Sequence, residues 1–264
     1  MSSDDDIPMP FVTPPLDADA LADWFDSGFP QEFCLSSSFD LSFIEELCAA
    51  GFIPMAAEGP DRDLLLPKLH TERAVLDPSQ IRITRTARRG SRGAELATDS
   101  AFAEVLAACV GIHGAGWLRP ALVSCLLELH RTREGRRARL ASFELWREGR
   151  LIAGEIGVFA GACYTSLTGF RREPGAGTVQ LAATGRWLEA AGARLWDLGM
   201  PMDYKATLGA QTVPRREFLR RFREARGLGL SPPAPGRVDG RFPARGLVDR
   251  AWRGAPGARD AAAQ

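Results

Sequence analysis

Hydrophobic positions along this chain change between helical and strand-like spacing several times after residue 20. The segment that starts at Ser38 opens with helix-capping residues, continues with apolar residues at helical spacing and ends at Gly51. Residues 64–69 are mostly apolar, which predicts a short strand, and residues 81–85 alternate like a strand with a basic outer face. These patterns predict a small α/β region in the first third of the chain.

A longer series of elements follows this region. The spacing predicts helices over 99–110 and 120–130, strands over 141–146, 151–158 and 162–168, a helix over 178–191, a strand over 194–198, and helices over 203–208 and 215–226. Gly149 and Gly161 separate the three successive strands, which predicts an antiparallel meander. The order is typical of an α/β, acetyltransferase-like (GNAT-like) fold, a mixed sheet flanked by helices, here with a small N-terminal α/β domain.

The composition changes along the 264 residues and divides the chain into four predicted segments. Residues 1–20 are acidic and rich in Pro, so we expect a disordered arm. Residues 21–80 form the small N-terminal domain, and residues 81–226 form the GNAT-like domain. Residues 227–264 are rich in Pro, Gly and Arg without apolar periodicity, which predicts a tail.

The formal net charge of zero hides an uneven distribution. Residues 1–63 hold 14 acidic side chains and one basic side chain, whereas the remainder holds 32 basic and 19 acidic side chains. A basic body suits a polyanion such as RNA, although a solvated basic surface would have the same composition. The candidates for contact with an RNA backbone are Arg88, Arg89, Arg136, Arg137, Arg215, Arg216, Arg220, Arg221 and Arg223.

Several classes of protein are disfavoured by what the sequence lacks. No apolar run approaches the ~20 residues of a membrane-spanning helix, and the first six residues are acidic, unlike a secretory signal. The five cysteines form no CxxC pair, and no His or Cys pair has metal-ligand spacing. No phosphate-binding Gly-rich loop or Gly-x-Ser-x-Gly elbow occurs. We therefore expect a cytoplasmic monomer with reduced thiols and without a metal or cofactor.

Six segments occur in an order known from one protein family. They are His113-Gly-Ala-Gly-Trp-Leu, Leu127-Glu-Leu-His, Ser142-Phe-Glu-Leu-Trp, Leu151-Ile-Ala-Gly-Glu-Ile-Gly-Val, Asp197 leading to Thr207-Leu-Gly-Ala, and Pro214-Arg-Arg-Glu-Phe. Over residues 52–222 this series resembles the leucyl/phenylalanyl-tRNA–protein transferase family.

The resemblance implies a function. Such a protein transfers Leu or Phe from charged tRNA to the α-amino group of a protein that begins with Lys or Arg, and the added residue marks the acceptor for degradation. Its partners are aminoacyl-tRNA and an acceptor N-terminus, and it uses no metal or nucleotide cofactor.

The chain departs from the family pattern at positions tied to catalysis and substrate binding. The Cys-Gln expected after the aspartate reads Leu198-Gly199, and the Gly-Glu-Ser of the third strand reads Ser166-Leu167-Thr168. The Ser-Lys before the long helix reads Gly177-Thr178, and the histidine before the Leu-Gly-Ala signature reads Tyr204. These changes leave the donor amino acid and the acceptor open.

Asp197 is the candidate catalytic residue. It follows the short strand at residues 194–196, where a carboxylate could orient or deprotonate an incoming amine, or could instead cap the next turn. The candidate substrate-binding residues are Trp117, Ser142, Glu144, Trp146, Tyr164, Leu167, Thr168 and Gly199.

Strand alternation and aromatic chemistry suggest how these residues would act. Ser142, Glu144 and Trp146 share one strand face, which either lines a substrate groove or meets solvent. Tyr164 and Thr168 share a face of the next-but-one strand, opposite Leu167 if that strand is regular, and the resemblance assigns this strand to the donor side-chain pocket. Trp117, Trp146 and Tyr164 would stack on the terminal adenosine of tRNA or pack in the core. Glu155 would face the same groove or pair with an arginine.

Two further functions stay open. An acyl-CoA-dependent N-acyltransferase would need a pyrophosphate-binding loop that opens a helix, and residues 171–178 are a loose candidate. A non-catalytic tRNA- or degron-binding relative would explain Leu167 and Gly199. The charge division also suggests that the acidic N-terminal region folds back on the basic body and imitates tRNA.

Overall fold

The computed structural model describes residues 9–114, 116–132, 134–231 and 240–249, which form a mixed sheet flanked by helices. The helices are α1 (Ala18–Asp26), α2 (Leu41–Ala49), α3 (Arg85–Gly90), α4 (Phe102–His113), α5 (Pro120–Arg131), α6 (Ala176–Ala190), α7 (Asp203–Thr207), α8 (Arg215–Arg226) and α9 (Ala244–Val248). The strands are β1 (Ile53–Glu58), β2 (Asp63–Lys68), β3 (Glu72–Leu76), β4 (Ala94–Thr98), β5 (Ala138–Arg147), β6 (Arg150–Ala160), β7 (Cys163–Arg171), β8 (Leu195–Asp197), β9 (Gln211–Pro214) and β10 (Phe242–Pro243).

Eight strands form the main sheet in the order β10-β4-β5-β6-β7-β8-β3-β9, and β1 pairs with β2 in a separate hairpin. β7 and β8 run parallel, because the long helix α6 connects them. The other neighbouring strands in both sheets are antiparallel. The expected meander is β5–β7, with Gly149 and Gly161 at positive φ in its turns. The expected α/β mixed sheet is confirmed.

Two hydrophobic cores form where helices cover the sheet. One core contains buried residues of α6 and α9, and the other contains buried residues of α2, α4, α5 and α8. The strands β5 and β6 contribute to both cores, so their buried positions face helices on either side. The central strands are therefore held rigidly from both faces.

Some elements differ from the pattern-based predictions. The predicted strand at 81–85 is wrong, because Thr84 caps the helix α3 by accepting a hydrogen bond from the Ala87 amide. Within the predicted tail, β10 pairs with β4 and α9 packs on α6, while residues 232–239 and 250–264 lie outside the described residues.

The predicted division into an arm, an N-terminal domain and a GNAT-like domain stays a prediction. Residues 1–8 of the arm lie outside the described residues, Phe11 bridges to Leu35, and α1 begins at Ala18. Strand β3, from the predicted N-terminal domain, lies in the main sheet between β8 and β9.

A buried ion pair joins β3 to β8. Arg73 Nη1 lies 2.6 Å from Asp197 Oδ2, and both side chains have no exposed surface. Arg73 Nη2 donates to the carbonyl oxygen of Gly51, 2.7 Å away, and the guanidinium lies over the Phe218 ring. A single side chain thus connects two strands, the loop after α2 and helix α8.

Replacing Arg73 with Met is expected to lower the free energy of unfolding by about 3–5 kcal/mol, because Asp197 would keep a buried charge without a partner. Adding Asp197→Asn to that variant should recover part of the loss, since the remaining side chain is neutral. Urea denaturation of both single variants and the double variant measures this coupling. Arg220→Met, at an exposed ion pair, is the control and should cost less than about 1 kcal/mol. Additive losses from the two core substitutions would contradict the described pair.

Candidate active site

A cleft opens where β7 and β8 separate. The two strands pair only over Cys163–Thr165 and Leu195–Asp197, and β7 then continues to Arg171 beside β6. The cleft has a volume of about 610 Å³ and is floored by residues 166–171 of β7. A second cleft of about 380 Å³ shares residues 166–169 with it and extends to the β1–β2 hairpin. The separation of two parallel strands thus creates a substrate-sized space at the centre of the molecule.

Strand β7 is irregular at the floor of this cleft. Ser166 pairs with Gly157 and Thr168 pairs with Ile156, so Leu167 is an extra residue in a β-bulge. Neighbouring residues of β6 face opposite sides of the sheet, and Ser166 and Thr168 therefore do so too. The regular alternation expected for this strand is wrong, and all three residues line both clefts.

A buried carboxylate lies under the cleft. Glu155 Oε2 accepts a hydrogen bond from Ser166 Oγ at 3.0 Å, and Ser166 Oγ accepts one from Trp196 Nε1 at 2.9 Å. Glu155 Oε1 has no hydrogen-bond partner within the described residues. Burial raises the pKa of Glu155 to about 7, against the opposing effects of the Ser166 and Gln180 hydrogen bonds and the Lys205 charge. The site therefore holds a carboxyl group that can change protonation near neutral pH.

Lys205 closes another side of both clefts. Its Nζ donates to the carbonyl oxygens of Leu198 and Met200, at 2.6 and 2.7 Å. Burial lowers the pKa of Lys205, and the charges of Asp197 and Glu155 oppose that shift. This lysine fixes the loop between β8 and α7 and brings positive charge to the cleft.

Two histidines also line the clefts. His113 Nε2 donates to the carbonyl oxygen of Gly169 at 2.9 Å, which ties α4 to β7. His70 is buried in the wall of the second cleft, and its pKa is lowered to about 2, first by burial and then by surrounding cations. His70 is therefore neutral at physiological pH and brings no charge to the site.

Exposed apolar side chains surround the opening. Ile112, Met200, Met202 and Tyr204 are 55, 51, 45 and 48% exposed, and each lines at least one of the two clefts. Large apolar residues concentrated at the rim of a cleft are typical of a ligand-binding surface.

The structure brings four predicted site residues to the clefts. Leu167 and Thr168 lie on the floor, Trp117 is half-buried in the wall of the second cleft, and Gly199 lines the same cleft. Gly199 has a φ of +73° and donates its amide hydrogen to Asp197 Oδ1 at 2.9 Å. A left-handed turn that favours glycine thus follows β8.

Asp197 is not placed to contact a substrate amine directly. Asp197 has no exposed surface, and its two oxygens bind Arg73 and the Gly199 amide. Its link to the cleft is the turn that it caps, through the Gly199 amide, and its catalytic role stays a prediction.

The predicted groove face of β5 lies elsewhere. Ser142 and Glu144 are fully buried; Ser142 Oγ donates to Glu144, and Glu144 accepts from Ser100 and Ala101 at the start of α4. This corrects their assignment as substrate-binding residues, because they hold a helix terminus. Burial raises the pKa of Glu144.

Two aromatic candidates are corrected as well. Tyr164 is fully buried and packs edge-on against Phe143, in the core beneath α6. Trp146 lies near the end of β5, where Arg241 covers its ring at 4.7 Å, and it lines neither cleft. The clefts are instead lined by the aromatic rings of Trp117, Phe170 and Tyr204.

The arginine candidates divide by their surroundings. Arg215 is buried and donates to the carbonyl oxygens of Phe25, Phe29, Gln31, Leu69 and His70. Its assignment to a tRNA surface is therefore corrected, because its guanidinium group holds the N-terminal region against the start of α8.

Acidic residues accompany most of the other arginines. Arg136 pairs with Glu45, Arg137 lies 3.9 Å from Asp19, and Arg216 pairs with Asp26. Arg220 pairs with Glu217 and Glu224, Arg221 with Glu217, and Arg223 with Asp19 and Asp23. Arg88 and Arg89 lie on α3, where Arg89 is exposed beside the start of α6.

Several cleft residues carried little signal in the sequence. Lys205 and the rim methionines lie in an irregular loop and a short helix, and only the fold brings them to β7. Glu155 could be recognised in the sequence as a single carboxylate within an apolar strand. In a central strand, such a residue is expected to have a specific partner.

Comparison with known proteins identifies the family. The family model described as "Leucyl/phenylalanyl-tRNA protein transferase" matches residues 75–223. Proteins named leucyl/phenylalanyl-tRNA–protein transferase from Thiobacillus denitrificans, Azoarcus and Rhizorhabdus wittichii are 36, 34 and 33% identical over 166, 151 and 176 residues. These matches cover 62, 55 and 64% of this chain and 71, 62 and 68% of the relatives.

Solved structures give more distant likenesses. FemX has a TM-score of 0.43 at 12% identity, with 77% of this chain and 80% of that chain covered. A tandem GNAT protein from the clavulanic acid biosynthesis pathway has a TM-score of 0.34 at 14% identity, with 75% and 68% covered.

The described residues offer neither a metal site nor a membrane-spanning helix. No group of three His, Cys, Asp or Glu side chains there could hold a metal ion, and no helix is long and apolar enough to cross a bilayer.

The family match extends from β3 through most of α8 and includes the residues that form the floor, the Asp197 turn and the α7 wall of the cleft. The chain belongs to the leucyl/phenylalanyl-tRNA protein transferase family of aminoacyltransferases, as the order of its sequence motifs predicted.

Proposed function

We propose that this chain moves an apolar amino acid, Leu or Phe, from charged tRNA to the α-amino group of an acceptor protein, which marks the acceptor for degradation. The observation that carries the proposal is the cleft of about 610 Å³ between β7 and β8, built from family-matched residues that include several apolar side chains and one buried carboxylate. An aminoacyl ester is already activated, so this chemistry requires positioning and proton transfer rather than a cofactor.

The cleft suits an apolar donor side chain. Leu167, Phe170, Leu181 and Leu198 line it, and Ile112 stands at its mouth. Complete burial of a Leu or Phe side chain is worth about 1.5–3 kcal/mol, enough to favour such donors over small or polar ones.

The acceptor would approach along β7. Beyond Thr165 this strand has no strand partner on its β8 side among the described residues, and an extended peptide can bind such an edge through main-chain hydrogen bonds. The apolar rim at Met200 and Met202 would then contact the residues that follow the acceptor N-terminus.

The amine nitrogen attacks the ester carbonyl carbon, the new C–N bond forms, and the bond to the ribose oxygen breaks. The Asp197–Gly199 turn would fix the backbone beside this reaction. The residues that line both clefts come from one chain, which supports our proposal that the active form is a monomer. We also propose that it acts in the cytoplasm.

The main prediction is transfer of label to a peptide that begins with Arg or Lys, from total tRNA charged with radiolabelled Leu, Phe or Met. Leu167→Ala should raise KM for the preferred donor about tenfold, because the pocket loses apolar contact. Leu127→Ala, on the exposed surface of α5, is the matched control and should leave KM unchanged.

The alternatives give distinct results in the same experiment. Tight binding of charged tRNA without transfer would support a non-catalytic relative. Absence of both binding and transfer would overturn the proposal, and acyl-CoA donors would be tested next.

Salt dependence should identify the phosphate contacts. Arg89→Ala should weaken tRNA binding and make the slope of log affinity against log salt shallower by about one, because an exposed cation on α3 is lost. Arg220→Ala removes a cation already held by Glu217 and Glu224, so its slope should stay near that of the wild type. Titrations at several salt concentrations compare the two variants, and equal slopes would remove α3 from the proposed tRNA surface.

A further inference from the structure

We propose that Glu155 is the proton acceptor of the transfer reaction and that Ser166 relays the proton to it from the attacking amine. The proposal rests on the proposed function and deepens it by assigning the base. The family resemblance gives Glu155 no role, since its motif carboxylate lies on β7 at the position of Leu167.

The first argument is placement. Glu155 lies on β6, beside the part of β7 that has no strand partner on its β8 side among the described residues. It lines the larger cleft and is 4% exposed. A carboxylate is rarely buried without a cation or a full set of hydrogen bonds, because desolvation of the charge is costly. Ser166 donates to Glu155 Oε2 and the Gln180 side chain also interacts with the carboxyl group, whereas Oε1 makes no hydrogen bond of good geometry within the described residues. A substrate group entering the cleft would relieve this deficit.

The second argument comes from the hydrogen bonds of Ser166. A hydroxyl has one hydrogen to donate and two lone pairs to accept with. Its hydrogen goes to Glu155 and one lone pair accepts from Trp196 Nε1, so one lone pair remains. Ser166 lines both clefts, and that lone pair is available to a donor such as the N–H of the acceptor amine. The Trp196 hydrogen bond fixes the direction in which the hydroxyl points.

The proton then follows a balanced path. As the amine nitrogen bonds to the ester carbon, its proton passes to Ser166 Oγ, and the Ser166 proton passes to Glu155 Oε2. When the C–O bond to the ribose breaks, the protonated Glu155 returns a proton by the same route to the leaving oxygen. The products are an amide and a free ribose hydroxyl, and Glu155 and Ser166 regain their starting protonation.

Four ionisable groups feel the charge of Glu155. Lys205 and Tyr204 on α7, Tyr164 on β7 and Cys109 on α4 are coupled to it electrostatically. Lys205 is the cation among them and favours the carboxylate form. The two phenols and the thiol have pKa values raised by burial, so they stay neutral where Glu155 titrates.

The protonation state sets the direction of the pH dependence. Because burial raises the pKa of Glu155 to about 7, the carboxylate form that can accept a proton predominates above that pH. The rate of transfer should rise through neutral pH and level off above it. An acceptor peptide with an aminooxy terminus stays unprotonated across neutral pH. With this acceptor, a rise in rate near pH 7 reports the titration of the enzyme and not that of the acceptor.

The experiment compares wild type with Glu155→Gln, which keeps the shape and a hydrogen-bond acceptor for Ser166 but removes the base. We expect kcat to fall about 100-fold or more with KM for charged tRNA unchanged, and the pH limb near 7 to disappear. Ser166→Ala should also lower kcat, and the double variant should be no slower than Glu155→Gln, because the two residues act as a unit. Glu104→Gln, an exposed carboxylate paired with Arg172, is the matched control and should keep wild-type kcat.

The outcomes separate the two proposals. An active wild type whose Glu155→Gln variant keeps its kcat and its pH limb would overturn the assignment of Glu155 and leave the transferase intact. A wild type that transfers no label under any condition would overturn the proposed function, and the assignment with it.

A stability measurement guards against a variant that merely misfolds. A carboxyl group whose pKa is raised by folding stabilises the protein below its unfolded pKa, and that contribution is lost as the pH rises through the folded pKa. The Tm of Glu155→Gln relative to wild type should therefore increase between about pH 5 and pH 8. A pH-independent Tm difference would show that Glu155 titrates normally and would overturn the proposal.

Discussion

The buried pair of Arg73 and Asp197 is the contact on which the site depends. Arg73 lies on β3, far ahead of β8 in the sequence, and the ion pair joins these two neighbouring strands. Asp197 then has one oxygen left, and that oxygen fixes the Gly199 turn. The direction in which the chain leaves β8, and with it the position of the α7 wall, follows from one charge that cannot be left unpaired inside the protein. The ion pair that stabilises the fold therefore also fixes the shape of the cleft.

The sequence predicted β5, β6, β7 and β8 of the main sheet because their periodicities are local properties, but it did not predict β3, β4, β9 and β10. The β5–β7 meander and helix α6 have clear apolar spacing and turn glycines. The site was harder to predict. Asp197 was found from its place at a strand end, but the strand end does not reveal that Arg73, more than a hundred residues away, occupies its second oxygen. Glu144 likewise has the alternation of a groove residue, and only the fold brings the start of α4 to it.

Charge has two roles in this molecule. The acidic first third contributes Asp19, Asp26 and Glu45 to ion pairs with arginines of the basic body, so these pairs bind the N-terminal helices to the rest of the chain. The count of basic residues therefore overstates the cationic surface open to a polyanion. Exposed arginines outside these pairs, such as Arg89 on α3, contribute more of the field that a nucleic acid would meet.

The extra residue at Leu167 has a consequence for how this lineage can change. The bulge turns Ser166 and Thr168 to opposite sides of one sheet, although both residues line the clefts. The acid group of the cleft can then come from β6 instead of β7 while the backbone path stays the same, since both strands already border the same space. A carboxylate therefore lines the cleft although Leu167 occupies the position of the family's motif carboxylate on β7.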